Sequence, residues 1–203
     1  LGSRLMFLFA LWGFGRIAML APWQVGPVAM AFIDCLFLVV LAAVIWREII
    51  AGKNIKNVPV CVLVTLLALS NIGFHAGALN YEVHEFSEHF AIGVIALMVA
   101  LIGGRIVPSF TRNWLNQQKI SPLPAQFGVI DKAALGSAGL ALIGWTIDAG
   151  NPVTGVLLLV AGVTHMVRLA LWRGWKTGAE PLVLILHVGY AWLPVSFLLM
   201  GAS

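Results

Sequence analysis

The chain has 203 residues, 61% of them hydrophobic and only 10% charged, with a formal net charge of +4. Globular domains carry about 25% charged residues, so this composition argues against a soluble fold, whose helices would need polar faces. The small positive balance sits in short loops. It argues against a nucleic-acid partner and fits the orientation signals of a membrane protein.

Seven apolar segments follow one another at roughly 5–21, 27–46, 58–80, 87–107, 128–147, 153–172 and 181–200. Each is close to the ~20 residues that cross a bilayer as a helix. Lipid offers no partner for an open sheet edge, so helices are the choice for spanning segments. Alternation with a period of two, the mark of a membrane barrel, is absent. The expectation is an all-α, polytopic transmembrane helix bundle of about seven spans, forming a single transmembrane helical domain over 1–203. The chain lacks an initiator methionine and opens partway into an apolar run, so it reads as a segment of a longer polytopic protein. The first run has no small-residue cleavage site of a signal peptide.

Breakers mark the ends of the segments. Pro27, Pro59, Pro152 and Pro181 fall at first turns, where a missing N–H costs nothing, and Pro108 reads as the close of the fourth span. The loops 47–57, 111–126 and 173–180 hold Lys and Arg, whereas 22–26, 80–88 and 148–152 hold none. The positive-inside rule places the first group in the cytoplasm and the second outside. Trp46, Trp114, Trp172 and Trp175 then fall at the inner boundary and Trp23 and Trp145 at the outer, as an aromatic belt requires. The 111–126 connection, with its Ser-Pro-Leu-Pro, is a candidate boundary between a four-span and a three-span half. Cys35 and Cys61 lie in apolar runs and read as small core residues.

Ionisable groups at membrane depth are costly, and each is a functional candidate. Arg16 in span one and Asp34 in span two lie at similar depth, which predicts a buried ion pair. The alternatives are a cofactor carboxylate or a polar path. Gly103 and Gly104 precede Arg105 and let a neighbouring helix or ligand come close. Arg105 either snorkels to the inner surface or, with Arg112, holds an anionic group such as a propionate.

His75 and His89 lie at comparable outer depth, and His165 and His187 near the inner ends of spans six and seven. His165 and Arg168, and likewise His187 and Tyr190, are three residues apart and share a helix face. Imidazole is the commonest metal ligand, and facing histidines on adjacent helices build cofactor sites in bundles. The matched pairs predict at least one metal or haem site from His75, His89, His165 and His187, with Arg168 and Tyr190 beside it. A lone intramembrane histidine otherwise serves helix packing. No C-x-x-C-H motif is present, so a haem would be non-covalent. The stretch "YEVHEFSEH" reads as a solvated acidic loop, the alternative being a weak metal-collecting lip.

The segment "ALIGGRIVPSFTRNWL" (100–115) resembles the signature of the NnrS family of bacterial membrane proteins. "NIGFHAGAL" (71–79), "THMVRLALWRGWKT" (164–177) and "PLVLILHVGYAWLP" (181–194) are similar to further segments of that family, in its order. The resemblance implies a multi-pass protein of the bacterial inner (cytoplasmic) membrane that binds haem and copper and acts in the response to nitric oxide and nitrosative stress. It carries over His75, Arg105, Arg112, His165 and His187 as the matching polar positions. It implies nitric oxide as the small-molecule ligand and the lipid bilayer as surroundings. It names no protein partner, and it leaves open an enzymatic redox step on nitric oxide or its metal adducts. Family members are longer, with about twelve spans. Two other classes compete with this reading. One is a small-solute transporter or channel with an intramembrane Arg/Asp/His path. The other is a cofactor-free assembly factor.

Overall fold

A computed structural model describes residues 2–20, 22–79 and 81–203. Long helices carry nearly all of the chain, and no strand occurs among the described residues. They are α1 (Gly2–Leu20), the short α2 (Pro22–Val25), α3 (Pro27–Ala51), α4 (Val58–Ala76), α5 (Tyr81–Gln117), α6 (Val129–Ile147), α7 (Pro152–Leu171) and α8 (Pro181–Ala202). Pro27, Pro59, Pro152 and Pro181 each stand at a first helical turn, as predicted. There the fixed φ of proline suits the helix and no hydrogen bond is lost.

Six helices among the described residues, α1, α3, α4, α5, α7 and α8, are long and apolar enough to cross a membrane. The chain is a multi-pass membrane protein. The remaining predicted span, α6, is 19 residues long. Asp131 and Lys132 in its first turns, with Gly136, Ser137, Gly139 and Gly144 further along, dilute its apolar character. Large apolar side chains such as Phe7, Phe14, Phe32, Leu140, Leu182 and Trp192 point outward. Such a surface suits lipid rather than water.

Two sequence expectations are corrected at α5. Pro108 does not close the fourth span, because the helix runs through it to Gln117. Proline inside a membrane helix is tolerated where neighbouring groups satisfy the freed backbone. The stretch 80–88 is not a loop: from Tyr81 onward it forms the first turns of α5, while Asn80 lies outside the described residues. Glu82, Glu85 and Glu88 recur at helical spacing on exposed positions, and Ser87 turns inward. Acidic side chains suit a helix N-terminus, where the backbone dipole is positive.

The chain forms two compact units, Leu1–Val94 and Ile95–Ser203. The division falls within α5 rather than in the 111–126 connection. In the first unit α1 packs on α3 and α3 on α4. The small-residue pattern around His75 has a concrete use there. A Cβ at Gly73 would meet Ser87 Oγ at 2.5 Å, and one at Gly77 would meet the His84 backbone nitrogen at 2.5 Å. The two glycines therefore let the start of α5 lie directly against α4. In the second unit α6 packs on α7 and α7 on α8. Its core joins Ala100, Ala138, Ala141, Leu158, Ala161 and Phe197. Gly155 and Gly201 meet across α7 and α8, where a Cβ at 201 would come within 2.7 Å of the Gly155 carbonyl. Small residues give this close approach in membranes, where helices gain little from apolar burial.

Candidate functional site

The first unit holds a polar cluster centred on Asp34, which α3 buries. Arg16 of α1 forms an ion pair with its Oδ1, as the matched depths predicted. Two donors from α4 reach Oδ2: Asn71 Nδ2 at 3.0 Å and His75 Nε2 at 3.1 Å. A carboxylate only accepts, so His75 carries its proton on Nε2 toward Asp34. The carboxylate thus collects donors from two other helices. Arg16 remains half exposed, with 51% of its side chain accessible, whereas His75 is 9% accessible. His75 also lines a groove of about 720 Å³, with Cys35, Met30, Phe32, Val39 and Ile72 among its walls. The groove is almost entirely apolar, and His75 is one of its few polar groups.

The second unit holds a closed cluster centred on Arg168 of α7, which is 1% exposed. Its Nε donates to Asp131 Oδ1 at 2.8 Å. Its Nη1 donates to the Ala100 carbonyl at 2.9 Å and to the Tyr190 hydroxyl at 2.9 Å. The guanidinium also lies 5.2 Å from the centre of the Trp172 ring, within cation–π range. Asp131 is shared, since its Oδ2 accepts the Gly128 N–H at 2.9 Å and so caps α6.

Tyr190 carries the chain of bonds onward. His165, fully buried, meets the Tyr190 hydroxyl through Nδ1 at 2.8 Å and the Ala134 carbonyl through Nε2 at 3.0 Å. The carbonyl can only accept, so Nε2 bears the proton and Nδ1 accepts from Tyr190. Directionality then runs unbroken: Arg168 donates to Tyr190, Tyr190 to His165, and His165 to the backbone of α6.

The paired glycines before Arg105 belong to this network. A Cβ at Gly103 would meet the Tyr190 ring at 2.8 Å, and one at Gly104 would fall within the Arg168 guanidinium. Each glycine makes the room that one member of the network occupies. A third imidazole, His187, is buried on α8, with Nδ1 3.0 Å from the Val183 carbonyl and Nε2 3.2 Å from Thr111 Oγ1. Gly174 leaves the space for its ring.

The structure therefore brings His165, Arg168 and Tyr190 together and sets His187 in a separate contact with Thr111. His75 joins Asp34, while His89 lies half-buried on α5. Arg112 donates from Nη2 to the Pro124 carbonyl at 2.6 Å, and Arg105 is exposed. Both line a pocket of about 400 Å³. No group of three or more histidine, cysteine, aspartate or glutamate side chains is placed to hold one metal among the described residues. Sequence reasoning missed Asp131, Asn71 and Thr111. Asp131 stands three residues after Gly128 and looks like an ordinary helix-start acid, which it also is. Its pairing with Arg168 carries no local signal.

Fold and interior together define a multi-pass helical membrane protein with a buried polar cluster in each of its two units. The family model described as NnrS protein matches residues 1–203, and the chain belongs to the NnrS family. No curated protein and no solved structure matches it.

Proposed function

We propose that the chain is a haem- and copper-binding protein of the bacterial inner membrane that acts in the response to nitric oxide. Membership of the NnrS family supports the general reading, and the groove beside His75 carries its structural side. That groove places an imidazole against an apolar wall, with one ring nitrogen held by a buried carboxylate. Metal-ligating histidines characteristically donate their other N–H to such a carboxylate, which fixes the tautomer and the ring orientation.

The donor types fit the groups that the family implies. A haem iron can be held by a single imidazole, and His75 supplies one. Imidazole and thiol suit copper, and His75 and Cys35 line the same groove. Two donors fall short of a three-ligand copper site, so the groove fits haem better. His165 and His187 have both ring nitrogens engaged by protein groups, so a metal would have to displace a bond at either. Residues of the chain would orient the site: Asp34 holds the proton on His75 Nε2, Asn71 and Arg16 hold Asp34, and the apolar walls exclude water. Bound iron or copper would supply an open coordination position for nitric oxide, a small neutral gas that can reach it through lipid.

The test is an optical spectrum with metal analysis of protein purified after haem- and copper-replete expression. A Soret band that shifts with nitric oxide, and is lost in His75→Ala while it persists in His165→Ala, is the expected result. A replete preparation with no band and no bound metal overturns the proposal.

A further inference from the structure

The pocket around Arg105 and Arg112 belongs to the second unit and is chemically unlike the groove of the first. Seven residues separate the two arginines, about two helical turns, so they share one face of α5 roughly 10 Å apart. Gly104, Pro108 and Ser109 form the helical wall, and Ala125, Gln126 and Phe127 of the following connection form the other. The lining contains two guanidinium groups, no carboxylate, no histidine and no cysteine. Arg112 is positioned by its bond to the Pro124 carbonyl, which uses one of its five N–H donors. The pocket opens at the end of the apolar run 90–102, beside the Lys- and Arg-bearing connection that the charge pattern assigns to the cytoplasmic side.

We propose that this pocket binds the phosphate of an anionic phospholipid headgroup. Guanidinium forks match phosphate oxygens in bidentate geometry. Basic pockets at the cytoplasmic end of membrane helices bind anionic headgroups, which that leaflet supplies in excess. Ser109 and Gln126 add neutral donors for the glycerol or ester oxygens, and Pro108 and Phe127 offer apolar surface to the start of the acyl chains. A soluble phosphate would have no use for those two apolar walls.

The whole chain is reconstituted in nanodiscs of phosphatidylcholine with and without phosphatidylglycerol, and lipid retention is measured by native mass spectrometry after transfer to detergent. Phosphatidylglycerol should be retained and phosphatidylcholine lost. The double variant Arg105→Gln/Arg112→Gln should bind the anionic lipid roughly thirtyfold more weakly, the loss expected of two interfacial cations. The double variant Arg105→Lys/Arg112→Lys keeps the charge without the fork. It should retain an intermediate amount, which keeps the test open if the glutamine pair does not fold. Three results would overturn the proposal: equal retention of both lipids, displacement of phosphatidylglycerol by inorganic phosphate at matched concentration, or unchanged phosphatidylglycerol retention in the glutamine pair. The lipid readout is independent of the metal reading at His75, so either can fail alone.

Discussion

The two polar clusters solve one problem in opposite ways. In the second unit a cation at the centre, Arg168, is sealed in, and every neighbour that it touches is itself buried. In the first unit an anion at the centre, Asp34, is held by an arginine that stays half exposed and by an imidazole on the wall of an open groove. A buried charge is tolerated only when it is paired and its remaining hydrogen-bonding capacity is met. The Arg168 cluster meets this condition fully and so behaves as a packing element, tying four helical segments together. The Asp34 cluster meets it with groups that also face outward. On the function proposed above, the difference separates a lock from a site.

The largest effect expected of any single change lies in the lock. Asp131→Asn leaves the Arg168 charge buried without its counter-ion, and breaking such a pair costs about 3–5 kcal/mol. Thermal denaturation in detergent should show this loss. The double variant Asp131→Asn/Arg168→Met should recover part of it. Asp34→Asn should cost less, about 1–2 kcal/mol, because Arg16 can turn to the surface. Equal losses for the two aspartates would erase the contrast between the clusters.

Next come the glycines. Gly104→Ala forces the Arg168 guanidinium aside and Gly103→Ala moves the Tyr190 ring, each for about 1–3 kcal/mol of overpacking. If the same melting assay shows Gly104→Ala to be neutral, the close approach is not what the structure describes. Tyr190→Phe removes the hydroxyl that joins Arg168 to His165 and should cost about 1–3 kcal/mol, since two buried partners lose one bond each. Combined with His165→Phe it should cost less than the sum of the two single changes, because both remove the same bond. Additive losses in that cycle would show that the bond is not made.

In the site, His75→Ala should change stability by only about 1 kcal/mol while abolishing haem binding, measured as the ratio of Soret to protein absorbance. A large stability loss with unchanged haem would reverse the assignment of roles between the two units. The smallest effect is expected at the start of α5. Glu85→Gln and Glu88→Gln lie on exposed positions and should each fall within about ±0.5 kcal/mol in the melting assay.

Much of this was legible in the residues alone. Runs of apolar side chains near bilayer length place the helices, and the prolines place their starts. Arg16 and Asp34 could be paired in advance because opposite charges at equal depth on consecutive helices have little choice of partner in lipid. His165 with Arg168 could be assigned to one face, because helical spacing is a local property. Span ends were less legible. Pro108 looked like a terminus and is interior, and the acidic stretch after Asn80 looked like a loop and is helical. In both cases the packing of neighbouring elements outweighs a local propensity.

Identity of the chemical groups, their depth and their helical faces follow from the order of residues, because rise and rotation per residue are constant along a helix. Which groups touch does not follow, since that depends on how the helices rotate against one another. The paired glycines are the clearest case. They stand directly before Arg105, yet the space that they leave is filled by Arg168 and Tyr190 from two later helices. His165 likewise finds its proton acceptor on α6 and its proton donor on α8. Those assignments arise from interhelical packing, where the need to satisfy every buried polar group selects one arrangement among many that the residues alone would allow.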